Sequence, residues 1–143
     1  MAETVGQEVL AVVDLHVRQG SDVPVVLAYA EDDGTGALVV QDYSGWSVRS
    51  QIRRRVGQEV WLDLGALMTL TDDGAGTLTV SANIPAAVTE DPAWNARASQ
   101  VRDEELQPAG VWDVELVTAA GTVIPLVAGQ VFVDPDVTRE VVS

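Results

Sequence analysis

Residues 110–139, GVWDVELVTAAGTVIPLVAGQVFVDPDVTR, alternate apolar and polar side chains, break at a glycine, and resume up to an Asp-Pro-Asp turn. Successive side chains of a strand point to opposite faces, so a period of two marks a half-buried strand. Trp112, Val114 and Leu116 are therefore expected to face a core, with Asp113 and Glu115 in solvent. The AAGT at 119–122 turns the chain. The return from Val123 comes in two pieces split at Gly129, where a bulge or kink is expected. The segment holds no Cys, His or Lys, and its job is architectural.

Working upstream, the same signature recurs at short spacing. Leu15 and Val17 alternate with His16 and Arg18. VPVVLAYA (23–30) is almost wholly apolar, which predicts a strand buried on both faces, with Pro24 near its start where a missing N–H is tolerated. In GWSVRSQIRRR (45–55), Trp46, Val48 and Ile52 share one face, and Arg49, Gln51 and Arg53 the other. EVWLDL (59–64) continues with Val60, Leu62 and Leu64 against Glu59, Trp61 and Asp63. A hairpin is expected around DDGAG (72–76), its second arm turning Leu78, Val80, Ala82 and Ile84 inward. Residues 86–110 differ: they are polar, carry two Pro, and predict a long crossover with one short helix capped by Asp91, Pro92 opening it. Loops of this length often carry function, which makes the crossover a candidate contact region.

These signals give an all-β chain, a single antiparallel sandwich of about seven or eight strands. The expected organisation is an N-terminal arm at 1–13, the sandwich at 14–139 and a tail at 140–143. The 143 residues suit one domain, and 26 Val lean towards strands because β-branched side chains pack well on a pleated surface.

The net charge of −14 repels free nucleic acid, which argues against nucleic-acid partners. All eight bases are Arg, an association with GC-rich genomes. With no Cys there is no disulfide or thiolate chemistry, and with His16 alone no Ser-His-Asp triad or imidazole metal cluster is expected. The N-terminus lacks signal-peptide bases, and no run approaches about 20 apolar residues, so the expectation is a soluble, cytoplasmically made chain with no membrane partner. The Asp-Asp-Gly turns at 32–34 and 72–74 do not follow the EF-hand order; hairpin turns account for them, and no metal or other cofactor is expected. Paired acids would suit a hydrolase only if they met in a pocket with a raised pKa. The residues left over are candidate protein contacts: Arg53, Arg54 and Arg55, which on a strand would alternate between faces, and Trp61 and Trp94, read as exposed anchors.

Three stretches in order, DLHVRQGSDVPVVLAY, YSGWSVRSQIR and GVWDVELVTAAGTVIPLVAGQVFVDPDVTR, resemble the immunoglobulin-like β-sandwich of tailed-phage virion proteins. The likeness is to the N-terminal domain of siphophage baseplate upper proteins and to small tail or head accessory proteins of actinobacterial phages. It is carried by the Arg18–Asp22 turn, by Gly45, Trp46, Val48, Arg49, Gln51, Ile52 and Arg53, and by Gly110, Trp112, Glu115, Leu116, Gly121, Leu126, Gly129, Val131, Val133, Pro135, Val137, Thr138 and Arg139. What the resemblance implies is a non-enzymatic structural protein of the virion, homo-oligomeric or present in many copies, docking onto other virion proteins of the tail or baseplate. A capsid-surface decoration or minor capsid role is the alternative, and a carbohydrate-binding module stacking sugars on Trp61 or Trp94 is a second.

Overall fold

The computed structural model describes residues 11–55 and 57–134. The first ten residues of the expected arm, the Pro135–Arg139 end of the motif and the tail at 140–143 lie outside the described residues. In chain order the strands are β1 (Ala11–Val12), β2 (Leu15–Arg18), β3 (Val23–Tyr29), β4 (Ser47–Arg53), β5 (Val60–Leu62), β6 (Met68–Asp72), β7 (Leu78–Ile84), β8 (Val101–Arg102), β9 (Glu105–Leu106), β10 (Gly110–Val117) and β11 (Val123–Asp134). A 3-10 turn spans Leu64–Leu67; in the crossover lie a single α-helical turn, α1 (Ala86–Thr89), and a second 3-10 turn, Pro92–Arg97.

One sheet runs β1–β11–β10–β4–β5, with β2 also on β11; the other runs β3–β7–β6; β8 and β9 form a separate small hairpin. Pairing in both main sheets is antiparallel except that β1 and β2 lie parallel to β11. A three-stranded sheet facing β11–β10–β4–β5, with the first strand on the edge of the larger sheet, is the strand order of an immunoglobulin-like sandwich. Alternation supplies the core from both sheets: Val17, Ile52, Val114, Leu116, Val131 and Val133 from one, Leu78, Val80 and Ile84 from the other, all essentially without exposure. Each such side chain contributes about 1.5–3 kcal/mol relative to leaving it in water.

Four details differ from the pattern read in the sequence. β3 is buried on one face only: Val23, Val25 and Tyr29 point inward, whereas Val26 is 69% exposed. A β3–β7–β6 sheet has one face to cover, so apolar content alone overstated its burial. Val60 is 41% exposed, because β5 is three residues long and Leu64 reaches the core from the following 3-10 turn. Residues 11 and 12 already pair with β11, so the sheet begins inside the stretch expected as an arm.

The fourth concerns Gly129. The pairing irregularity of the closing hairpin falls between Val114 and Glu115, while Gly129 runs in register opposite Trp112. The chain crosses Gly129 where β1 gives way to β2, and a Cβ there would overlap the Val13 carbonyl oxygen. That carbonyl accepts a 2.8 Å hydrogen bond from the Trp112 indole Nε1–H. Val13 N–H donates to the Ala128 carbonyl (3.0 Å), and Gln130 N–H to Asp14 Oδ1 (3.1 Å).

The loops sort to two ends. At one, Tyr43 meets Trp46 edge-on at 4.8 Å, Trp46 lies 5.9 Å from Tyr29, and Tyr43 Oη donates to the Gly76 carbonyl at 2.8 Å. The 30–46 loop and the 72–77 turn thus share this end with the turn at 118–122, where Ala119 sits against Gly45. The other end carries the 19–22 turn, the 54–59 turn and the 85–109 crossover.

Gly129→Ala is expected to destabilise the protein by at least about 2 kcal/mol, since backbone would have to give way. Trp112→Phe, which strands the Val13 carbonyl, should cost about 1–3 kcal/mol. Urea unfolding midpoints at constant slope check both.

Candidate functional site

The crossover is fastened at close intervals. Asp22 Oδ1 accepts from Ala86 N–H (2.7 Å), and Thr89 Oγ1 accepts from Gly20 N–H (3.0 Å). Asp91 accepts from Ala93 N–H (2.9 Å) with Pro92 at the first position, the expected cap, opening a 3-10 turn. Gln19 Nε2 donates to Asn95 Oδ1 at 2.7 Å. Ser99 and Val133 exchange two bonds: Ser99 N–H donates to the Val133 carbonyl (2.7 Å) and Val133 N–H to Ser99 Oγ (2.8 Å).

This lacing turns Trp94 inward. It is 2% exposed, which corrects the expectation of an exposed anchor: the 3-10 turn directs it into the core beside Trp61. The Trp61 and Trp94 rings meet edge to face, centroids 6.1 Å apart, and the Arg97 guanidinium lies 5.0 Å from one centroid and 4.9 Å from the other. Contacts of this kind contribute about 0.5–2 kcal/mol each. Burial lowers the Arg97 pKa from its ordinary value, opposed by the charges of Glu59 and Asp91. Trp61 gains its place because Gly110 has no side chain: a Cβ there would lie 2.6 Å from the Arg53 carbonyl oxygen and 2.9 Å from the Trp61 ring.

Beside this pair opens a cleft of about 470 Å³, lined among others by Arg54, Arg55, Arg97, Arg102, Gln100 and Gln107. Among the described residues no carboxylate lines it. The structure therefore brings together Trp61, Arg54 and Arg55 of the sequence candidates. Arg53 is left on the sheet face, and Arg54 and Arg55 follow β4 in a turn instead of alternating along a strand. Arg97 and Arg102, from the crossover, were not singled out. Arg97 carried a signal, standing three residues after Trp94, the spacing that places two side chains together on one face of a helical turn.

A second, open depression lies on the outer face of β4 and β10, where Asp113 and Glu115 sit with Arg49, Arg53 and Asp63. Arg49 Nη2 pairs with Glu115 Oε1 at 2.9 Å. Burial, then the Glu115 charge, raises the Asp113 pKa; a hydrogen bond from the Gln51 backbone and the charges of Arg53 and Arg49 oppose this. His16 is exposed and stacks on Phe132 at 5.0 Å. No group of three or more His, Cys, Asp or Glu among the described residues is placed to hold a metal.

The far end is acidic. Its Asp-Asp-Gly turns share one chemistry: Asp32 accepts from Gly34 N–H (3.0 Å) and Asp72 from Gly74 N–H (2.9 Å), while Asp33 accepts from Thr35 N–H (2.8 Å) and Asp73 from Ala75 N–H (2.7 Å). Hydrogen bonds from Thr35, from Ser44, and from Ala75 and Thr77 hold Asp33, Asp42 and Asp73 below the ordinary Asp value.

No protein-family model and no curated protein matches the chain. Among solved structures it is similar to the ZIG-8–RIG-5 IG1–IG1 heterodimer, at 8% identity and a TM-score of 0.34 over 93% of this chain and 89% of that one. It is also similar to extracellular domains 3–5 of Drosophila OTK, at 16% identity and a TM-score of 0.31 over 84% of this chain and 32% of that one. The chain thus spans about a third of the OTK chain. The fold assignment rests on strand order and register, to which scores this low add nothing.

Trp94→Ala should cost about 3–5 kcal/mol of stability by thermal or urea unfolding, where an exposed anchor would change it by less than about 0.5 kcal/mol. For Asp113 the folded pKa is raised, so its favourable contribution is present below the unfolded value and lost as pH rises through the folded one. Asp113→Asn is therefore expected to stabilise the protein near neutral pH, with the gain vanishing as pH falls into the carboxylate range; unfolding curves across pH read this directly.

Proposed function

We propose that this chain is a non-enzymatic structural protein of a tailed-phage virion, docking as a sandwich onto neighbouring proteins of the tail or baseplate. The observation that carries the reading is what the motif residues are used for. Gly110 admits Trp61 and the Arg53 carbonyl, Gly129 admits the Val13 carbonyl, and Trp112 holds that carbonyl. Ile52, Leu116, Val131 and Val133 fill the core, and Arg49 pairs with Glu115 across the sheet. A motif made of packing residues suits a scaffold whose exposed ends and edges do the work. The carbohydrate-binding alternative loses much of its stacking surface with Trp94 buried.

Hydrolysis by the Asp113–Glu115 pair is a second reading, favoured by the raised Asp113 carboxyl. The two lie two residues apart on one strand face, about 7 Å between Cα atoms. Glu115 is engaged by Arg49, which gives it a structural role without catalysis. Turnover of aryl glycosides that Asp113→Asn removes would favour this reading over the first.

Imaging the intact particle by electron cryomicroscopy tests the main proposal. Density for this sandwich in rings along the tail or at its tip is the expected result. Regular density over the shell would move the assignment to capsid decoration, and absence from purified particles would overturn it.

A further inference from the structure

We propose that the arginine-lined cleft receives the acid-bearing turns of a second copy of this chain, so that copies join end to end. Four of the eight arginines of a chain with net charge −14 line this one cleft. Among the described residues the single ion pair is Arg49–Glu115, so Arg54, Arg55 and Arg102 stand exposed with no carboxylate in salt-bridge range. The opposite end presents Glu31, Asp32, Asp33, Asp42, Asp72 and Asp73, with no Arg in the 30–46 loop or the 72–77 turn. These turns are narrow and held in shape by their own carboxylate-to-backbone bonds, leaving the second oxygen of each carboxylate for a partner. The planar guanidinium fork fits a carboxylate with two parallel hydrogen bonds.

The contact must be between molecules. β4 runs the length of the sandwich from one end to the other, and seven residues of strand span about 20 Å, far beyond the reach of a side chain. Beside the cleft, the cross-strand pair Val101 and Leu106 is 68% and 39% exposed, an apolar element next to charged residues as protein interfaces combine them. Cleft-to-turn contact is heterologous: each copy uses one end as donor and the other as acceptor, which builds rings where the rotation closes and open chains where it does not. The like net charge of two copies opposes their approach, but at about 0.15 M salt it is screened beyond about 8 Å, leaving the contacting pairs to decide.

Sedimentation of the full chain up to roughly 1 mM tests this, with three proteins compared. The wild type is expected to associate. Arg54→Glu with Arg55→Glu should remain monomeric. The quadruple variant Asp32→Asn, Asp33→Asn, Asp72→Asn and Asp73→Asn keeps the oxygen that accepts each turn N–H while removing four charges. It lowers the general repulsion between copies, so repulsion alone predicts tighter association; the proposed contact predicts association weaker by at least about tenfold. Unfolding midpoints confirm that each variant is folded. A wild type that stays monomeric, an Arg variant that associates like the wild type, or an Asn variant that associates as tightly or more tightly would each overturn the proposal.

Discussion

The indole of Trp112 reaches across Gly129 to the Val13 carbonyl, and the arrangement of the larger sheet follows from that one crossing. The first strand keeps one register along β11, Ala11–Val12 opposite Val127–Ala128 and Leu15–Arg18 opposite Val131–Asp134, and the two residues in between, Val13 and Asp14, fall outside both pairings and need other partners for their backbone groups. The indole satisfies one of these groups, the Ala128 carbonyl another, and Asp14 returns a bond to Gln130. A side chain at position 129 would hold the chain away from all three. Glycine and tryptophan are therefore two halves of one device, which fastens the first strand along the edge of β11.

Once β10 and β4 are antiparallel neighbours, connection lengths dictate which loops meet. Val117 pairs with Ser47 at one end and Val111 with Arg53 at the other, so the acidic 30–46 loop and the 54–59 arginine turn are driven to opposite ends. Topology thus sets the arginine cleft and the acidic turns at opposite ends, although the crossover end also carries Glu59, Glu90, Asp91, Asp103, Glu104 and Glu105 outside the cleft lining. At the arginine end the Trp61–Trp94 pair gives Arg97 an aromatic bed, and the crossover brings Arg102 alongside.

Much of this was legible before the structure. Period-two alternation placed β4, β7 and β10 and their inward faces, because each strand's burial pattern is written in its own residues. The parallel pairing of β1 and β2 with β11 was not legible, since the partners are more than a hundred residues apart and parallel register leaves no local turn signal. Val26 misled because an exposed apolar residue costs little on a sheet with an open face, so its presence does not report burial. Trp94 misled in the opposite sense: polar neighbours suggested a surface loop, whereas the decision was made by Asp91 capping a 3-10 turn against a pocket supplied by Trp61 and Gly110. The arginine cleft was half legible. Arg54 and Arg55 stood out by adjacency, and only the folding back of the crossover adds Arg97 and Arg102.

The crossover also contains the least comfortable backbone among the described residues. Asp103 and Glu104 both occupy the left-handed region, with φ of 56° and 67°, as the two central residues of a tight hairpin turn require. Asn-Gly or Asp-Gly would do this at little cost, whereas a left-handed conformation costs a residue with a Cβ about 1–2 kcal/mol. Two features offset it: the Val101–Leu106 and Arg102–Glu105 pairings, and the 2.7 Å bond from Gln107 N–H to the Gln100 carbonyl. Neither buries much surface, because all four strand residues are exposed. A hairpin this small gains little for the core, so its stability does not explain why the chain forms it here. What the hairpin does is fix Arg102 at the rim of the cleft, with Gln100 and Gln107 on its flanks. A strained turn that contributes little to packing thus sets the shape of the cleft rim, secured by fastening elsewhere.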